Sequence, residues 1–485
     1  MNAGRDRAIA IALALFVVAT RLPFVTQALW EWDSVLYARA LELGFHVSAD
    51  IRDQRPHPPG YILYVAAGAL CRALFGGSNA ALVAVAVLAS AGATVLLYLL
   101  ARRFARAELA AFVALAFAVD PLVWAHGEVA LPYIALALGS VGLALLFWDA
   151  RHGTDRRALA ASVAFGLAAG FRQDLLLLLG PLWLWSLSSG GPRRVAIGAI
   201  AVAAACLVWL IPSAALSGGF GEYVGAVLSQ SGSITGRSVV GASGGDVLWY
   251  DVRFTVLALA WGLFALGIVL LGLVLAPALH WARRPRTPHV GARGAFFALW
   301  LVPGLVVYLA WIIGDWGYVL SILPGLYVAC AALLERALGT ARGVALATWR
   351  AFAVALVAGT ALVFVATPAR WSADVLRAHD RSVTLRVAYI RGHFAADGTV
   401  LLAREDYQLA RYYLNEYLAW LYDPAPARSG EPPKSIPGTL VIFTPDLVPR
   451  QPIAVTPSDA RAVGLTVVAG PTVKLFGDYP IAREP

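Results

Sequence analysis

Residues 57–75 read HPPGYILYVAAGALCRALF, and whether this run crosses a membrane decides the topology of everything after it. It follows a first apolar run, Ala8–Ala28, and a polar aromatic stretch, WEWDSVLYARAL at residues 30–41, in which Glu31 and Asp33 sit between tryptophans and a tyrosine. A spanning helix needs about 20 mostly apolar residues. Segments of that kind lie near Ala8–Ala28, Asn79–Leu100, Leu109–Trp124, Val129–Phe147, Ala158–Phe171, Leu175–Leu187, Val195–Leu216, Val252–Leu279, Ala295–Ile313, Tyr318–Leu334 and Val344–Ala366, which makes about 11 spans. Arginine punctuates alternate connections: GRDR, ARRFAR, DARHGTDRR, GGPRR, HWARRPRTPHVGARG and ERALGTARG. Basic residues favour the cytoplasmic side, so these connections and the N-terminus are expected there. The other connections, EWD, DPLVWAHGE, FRQD, the Gly/Ser-rich Ser217–Asp251 and GDWGY, are expected outside. This alternation survives only if Pro58–Phe75 does not cross and instead forms an interfacial or re-entrant helix along the outer surface. Counted as a span, it would put ARRFAR outside and invert the rest.

Composition agrees with a membrane. Hydrophobic residues make up 60% of the chain and charged residues 14%, where a soluble domain carries about 25% charged residues. Sixteen tryptophans suit interfacial belts. The net charge of +9 comes from short basic clusters between apolar runs, which reads as membrane sidedness and not as a nucleic-acid surface. Cys71, Cys206 and Cys330 stand apart in apolar surroundings and read as packing residues. The N-terminal run has no A-x-A cleavage site and is expected to be an uncleaved span of a cell (plasma or inner) membrane protein. Fusing the short fifth and sixth spans would bury Arg172 and Asp174 at mid-bilayer, which is costly unless they pair. Two helices meeting at FRQD are therefore expected.

The fold class expected is mainly α: a polytopic helical bundle over residues 1–366 and a small extracytoplasmic α/β domain over residues 367–485. The latter reads as a helical pattern from Ala373 through Phe394, a strand GTVLLA, a helix EDYQLARYYLNEYLAWLY, a proline-rich linker, a strand GTLVIF and a last pair around LTVVAG and TVKLFG. No glycine-rich phosphate loop follows these strands, so no nucleotide site is expected.

The outer connections gather Asp33, His57, Asp120, Glu128, Arg172 and Asp174, while the spans are almost free of charge. Taken alone, Asp33 also fits the N-cap of the following helix. Together, acids, a histidine and an arginine suit a reaction in which a carboxylate accepts a hydroxyl proton and cations steady a phosphate leaving group.

EWDSVLYARA, HPPGYILY and GYVLSILPGL, in that order, resemble the glycosyltransferase family 39 group of the GT-C superfamily, which includes protein O-mannosyltransferases and bacterial aminoarabinose–lipid A transferases. The resemblance implies an integral membrane glycosyltransferase. It would move a monosaccharide from a polyprenyl-phosphate donor to a hydroxyl of a lipid, glycan or protein acceptor on the outer face, with inversion and without nucleic-acid partners. Asp33 takes the place of the reacting acid, with Glu31 beside it, and Glu128 that of the second acid. His57 matches the donor-contacting position before Pro-Pro, and Arg172 offers a fork to phosphate oxygens. Tyr37, Arg55, Tyr133, Asp174 and Tyr318 complete the expected substrate-binding set. Some relatives place an arginine before the late proline segment; here Gly317 and Tyr318 stand instead. No cofactor is expected, and without an Asp-x-Asp a divalent metal is not favoured. A lipid transporter or flippase would instead carry charges near the bilayer midplane, and a non-catalytic scaffold is the other alternative.

Overall fold

The computed structural model describes residues 3–241, 245–281, 291–311, 315–338, 344–421, 434–443 and 458–475. Most of the arginine-rich connection 282–290 and the proline-rich linker at 422–433 lie outside them, as do parts of ERALGTARG, of the Gly/Ser-rich segment and of TVKLFG.

The membrane part is helical. It runs through α1 (Ala3–Arg21), α2 (Trp32–Leu43), α3 (Ile62–Phe75), α4 (Ser78–Ala101), α5 (Ala107–Val119) and α6 (Pro121–His126). It continues through α7 (Tyr133–Arg151), α8 (Asp155–Ala168), α9 (Asp174–Ser188), α10 (Gly191–Leu216), α11 (Phe220–Gly236), α12 (Gly245–Trp281), α13 (Ala292–Ala310), α14 (Leu323–Leu338) and α15 (Val344–Ala366). Seven of the eleven expected spans are long and apolar enough to cross a membrane by themselves. The other four are α5, α8, α9 and α14, of 13, 14, 15 and 16 residues. At about 1.5 Å per residue these fall short of a ~30 Å hydrocarbon core. α5 is extended by α6, and α14 is preceded by a 3-10 turn at Trp316–Ser321. α4 and α7 form the centre, with 67% and 61% of their most apolar windows buried, against 22% for α10 and 11% for α15 at the periphery.

α3, of 14 residues, has both of its ends at one rim of the bundle, as a helix lying along the outer surface does. The loop before it accepts the Tyr223 hydroxyl at the Pro59 carbonyl (2.9 Å). Just after it, Ser78 donates to Glu42 (2.6 Å) and Asn79 to the Thr26 carbonyl (2.8 Å). Among the described residues, four of the arginine-rich connections meet at the opposite rim: Arg102 pairs with Asp6 (2.9 Å), Arg103 with Asp149 (2.7 Å), and the Arg106 amide donates to Glu335 (2.8 Å). The sorting of connections into two ends, read from arginine alone, is thus reproduced by contacts.

Three boundaries differ from expectation. Leu109–Trp124 is not one helix, because Asp120 caps a new one: its carboxylate accepts the Leu122 and Val123 amides (3.0 and 3.1 Å), with Pro121 in the first turn. The segment 217–251, flexible by composition, contains α11 and the start of α12. Tyr318–Leu334 starts as the 3-10 turn, capped by the Asp315 carboxylate on the Gly317 amide (2.6 Å).

Beyond α15 come α16 (Ala373–His393), β1 (Thr399–Ala403), α17 (Tyr407–Tyr413), β2 (Leu418–Leu421), β3 (Lys434–Ile442), α18 (Ser458–Ala462) and β4 (Thr466–Leu475). The sheet order is β2-β1-β3-β4, with β1 parallel to both neighbours and β4 antiparallel to β3. The expected single helix EDYQLARYYLNEYLAWLY is α17 followed by β2, since LAWL finds a ladder on β1. The expected last pair of strands is the one strand β4. Apolar residues of this unit, among them Leu401, Tyr407 and Val441, share one cluster with Leu29, Val35 and Tyr37 of the first outer loop and α2.

Candidate functional site

The first turn of α2 carries both acids of EWD, and it separates their tasks. Glu31 is the N-cap: its side chain accepts the Ser34 amide, and the Ser34 hydroxyl accepts the Glu31 amide (3.4 Å), a reciprocal capping box. Asp33, two positions on, is left free of capping. This corrects the reading of Asp33 as N-cap. Its Oδ2 instead faces His57 Nε2 at 3.3 Å.

His57 is fixed from its other side, with Nδ1 lying 2.7 Å from the Pro58 carbonyl. Both partners are acceptors, so the doubly protonated ring satisfies both. Withdrawal from water lowers the His57 pKa, but the charge and hydrogen bond of Asp33 and the Pro58 carbonyl outweigh it, and the net shift is upward from 6.5. For Asp33 withdrawal from water acts upward, and His57 and the more distant Arg172 overcome it, so its carboxyl titrates below the usual value. Glu31 moves the other way. Burial, then the charges of Asp315 and Asp33, hold its carboxyl well above the ordinary range.

These groups open onto a cavity of about 1120 Å³ at the rim away from the arginine-rich connections. Its walls include Glu31, Trp32, Asp33, His57, Tyr61, Tyr133, Asp315 and Tyr318. Asp50, Arg52 and Gln54 line it from the first outer loop, Gln230, Ser233 and Arg237 from α11, and Leu421 from the end of β2. Tyr61, Asp315 and the α11 face were not singled out from sequence. An acid in the outer connection GDWGY was the visible signal for Asp315.

Arg172 lies behind this wall. It is 2% exposed, is held by Asp174 (Nη2–Oδ2 2.8 Å), and packs against three tyrosine rings, Tyr61, Tyr133 and Tyr318, at 4.9, 5.1 and 5.3 Å to their centroids. It does not itself line the cavity, and neither does Asp174. Tyr37, one helical turn after Asp33, is fully buried 6.3 Å from the His57 ring and supports the pair from behind. Gly317 has a steric cause: a Cβ there would lie 2.3 Å from Tyr133 Cγ, so a side chain at 317 and this position of Tyr133 exclude one another.

Two expected residues stand elsewhere. Arg55 donates to the Leu43 carbonyl (3.0 Å) and closes the end of α2. Glu128 is fully buried away from the cavity wall. Its carboxylate accepts Trp124 Nε1 (2.6 Å), and its electrostatic partner is Arg21, whose guanidinium lies 4.7 Å from the Trp124 ring centroid. The helix break at Asp120 starts α6, and beyond it the Glu128 carbonyl is tied to Thr26 (3.0 Å). Asp315, and not Glu128, shares the cavity wall with Glu31 and Asp33. Among the described residues no group of three or more His, Cys, Asp or Glu side chains is placed to hold a metal ion.

Residues 46–195 match the family model of the N-terminal domain of protein O-mannosyl-transferase TMEM260. No curated protein sequence matches the chain. Among solved structures, ArnT from Cupriavidus metallidurans bound to undecaprenyl phosphate is similar at 14% identity, with a TM-score of 0.58 over 96% of this chain and 98% of that one. The fold is of the GT-C type. The apo state of the same ArnT gives a TM-score of 0.55 at 14% identity, over 97% and 98% of the two chains. A GT-C match over nearly the full length takes in the residues after α15 as well as the bundle.

Proposed function

We propose that the chain is a membrane glycosyltransferase that transfers a monosaccharide from a polyprenyl-phosphate donor to an acceptor hydroxyl at the extracytoplasmic face of the cell membrane. The observation that carries this reading is the Asp33–His57 pair opening onto a large polar and aromatic cavity at one rim of a GT-C-type bundle. The matched family is described as a protein O-mannosyl-transferase, and the similar ArnT binds undecaprenyl phosphate. In this reading the rim opposite the arginine-rich connections is extracytoplasmic. The chain then divides into a membrane module at residues 1–366 and an outer unit at residues 367–485.

The chemistry is a single displacement. The acceptor oxygen forms a bond to C1 of the sugar, the C1–O bond to phosphate breaks, and the polyprenyl phosphate leaves with its electron pair, inverting C1. Asp33, kept ionised by His57, accepts the hydrogen bond of the attacking hydroxyl and then its proton. Glu31, kept neutral, donates a hydrogen bond; carboxyls pushed in opposite directions divide such roles. His57 and Arg237, cationic groups on the wall, face the departing phosphate, and Arg172 adds its field through the tyrosine rings. The lipid, glycan or protein acceptor enters between α11 and the first outer loop.

The test is transfer from a panel of labelled polyprenyl-phosphate sugars by purified protein. Wild type is expected to transfer one of them, and Asp33→Asn to lose about 100-fold or more. Undiminished transfer by the variant removes Asp33 from the reaction, and silence of the wild type across the panel overturns the activity.

A further inference from the structure

The acidic loop is not held by its own secondary structure. Between the 3-10 turn ending at Phe24 and the start of α2, the backbone runs without a ladder, and its polar groups need partners from elsewhere. The unit after α15 supplies them. The Asp380 carboxylate on α16 accepts two successive amides, Gln27 at Oδ2 and Ala28 at Oδ1, both at 2.9 Å. The next amide, Leu29, donates to the Tyr413 hydroxyl (2.8 Å), and the Leu29 carbonyl lies 2.9 Å from His379 Nε2. Trp30 then packs against His379 and Trp371, at 4.6 and 5.5 Å between ring centroids. Glu31 and Asp33 follow immediately. Beyond the acidic loop, Tyr412 donates to the Glu42 carboxylate at the end of α2 (2.6 Å) and Arg411 to the Arg52 carbonyl in the connection after it (2.9 Å).

We infer that residues 373–421 are a positioning clamp for the acidic loop, with Asp380 as its principal polar anchor, so that the outer unit sets the placement of Glu31 and Asp33 in the cavity. The clamp rests on the glycosyltransferase reading only in what it positions for. Its own evidence is the run of bonds from Gln27 to Leu29 and the shared apolar cluster. A carboxylate is needed at 380 because two N–H groups point at two oxygens. An asparagine of the same shape would turn an N–H₂ donor toward one of them, which makes Asp380→Asn a small and specific lesion. Asp380 touches no cavity wall, so it is a positioning and not a catalytic residue.

Hydrogen exchange read by mass spectrometry on the purified full chain tests this without substrate. In Asp380→Asn the peptides covering residues 26–34 should exchange about tenfold faster or more, while Leu385→Ala, at an exposed position of the same helix, should not change them. Unchanged exchange in Asp380→Asn overturns the clamp. Where wild type transfers sugar, Asp380→Asn should lower kcat about tenfold with the donor KM within about twofold, and Asp380→Glu should recover part of it. Equal loss in Leu385→Ala would reduce the effect to general destabilisation and also overturn it. If no donor reacts with wild type, the activity reading fails while the exchange result still decides the clamp.

Discussion

His57 faces Asp33 through Nε2 at 3.3 Å and the Pro58 carbonyl through Nδ1 at 2.7 Å, so a single ring is held by two acceptors. The pair requires an ionised carboxylate and a protonated imidazole. Because the His57 pKa is raised in the folded protein, its contribution is complete below the unfolded value of 6.5 and is lost as pH rises through the higher folded value. Because that of Asp33 is lowered, its contribution is present above the ordinary 3.8 and lost as pH falls through the lower folded value. The pair is thus intact across mildly acidic to neutral pH. A pH profile of transfer should fall on an alkaline limb with an apparent pKa above 6.5. His57→Gln should remove that limb; a limb unchanged in the variant assigns it elsewhere.

Substitution of Glu31 and of Glu128 should show in different measurements, transfer for the first and stability for the second. Glutamine mimics the neutral carboxyl that Glu31 presents, so Glu31→Gln should cost transfer less than Asp33→Asn does. Glu128→Ala should leave a folded remainder with near-normal kcat but should lower stability by about 3 kcal/mol, since it strands Arg21 and Trp124 Nε1 in the interior. Loss of kcat without loss of thermal stability would return Glu128 to the reaction.

Gly317→Ala should perturb the cavity from one methyl group. The added carbon would meet the Tyr133 ring and push it off Arg172, an overpacking cost of about 1–3 kcal/mol. Tyr133→Leu in the same chain should relieve the stability part of the defect. A variant as stable as wild type would show that the ring moves freely.

Arg172→Lys keeps the charge and should still fail. The flat guanidinium serves Asp174 and three tyrosine faces together, and an ammonium cannot stack in the same way. A loss of about tenfold in kcat/KM is expected. Wild-type kinetics in the variant would mean that only the charge matters.

Membrane sidedness follows from the two rims. Reporters inserted after Ala105 and after Ala373 should report opposite sides; the same side for both would refute the count of crossings.

Much of the bundle was readable residue by residue. Arg102, Arg103 and Arg106 marked one rim, and the same residues contact Asp6, Asp149 and Glu335 there. The run after His57 was kept from crossing because only that choice left the arginines on one side, and its helix α3 has both ends at one rim of the bundle. Asp33 and His57 stood out by residue type and position, Tyr133 and Tyr318 through the family resemblance, and all four line the cavity. Glu128 misled because a carboxylate near a span looks the same in sequence whether it faces a cavity or, as here, a buried tryptophan and arginine. The polar end of α11 was hidden inside a Gly/Ser-rich segment whose helix is decided by packing against Val47 and Ala214.

What the chain determined by itself is most of the apolar helices and the end of the bundle at which the described arginines gather, because hydrophobicity and charge act on each segment independently of its neighbours. Only tertiary structure decided which acids meet. Asp315 and Glu31 share a wall, Glu128 does not, and Asp380 grips the loop from the far end of the chain. Such pairings depend on how distant segments pack, and no local pattern in either partner records the other.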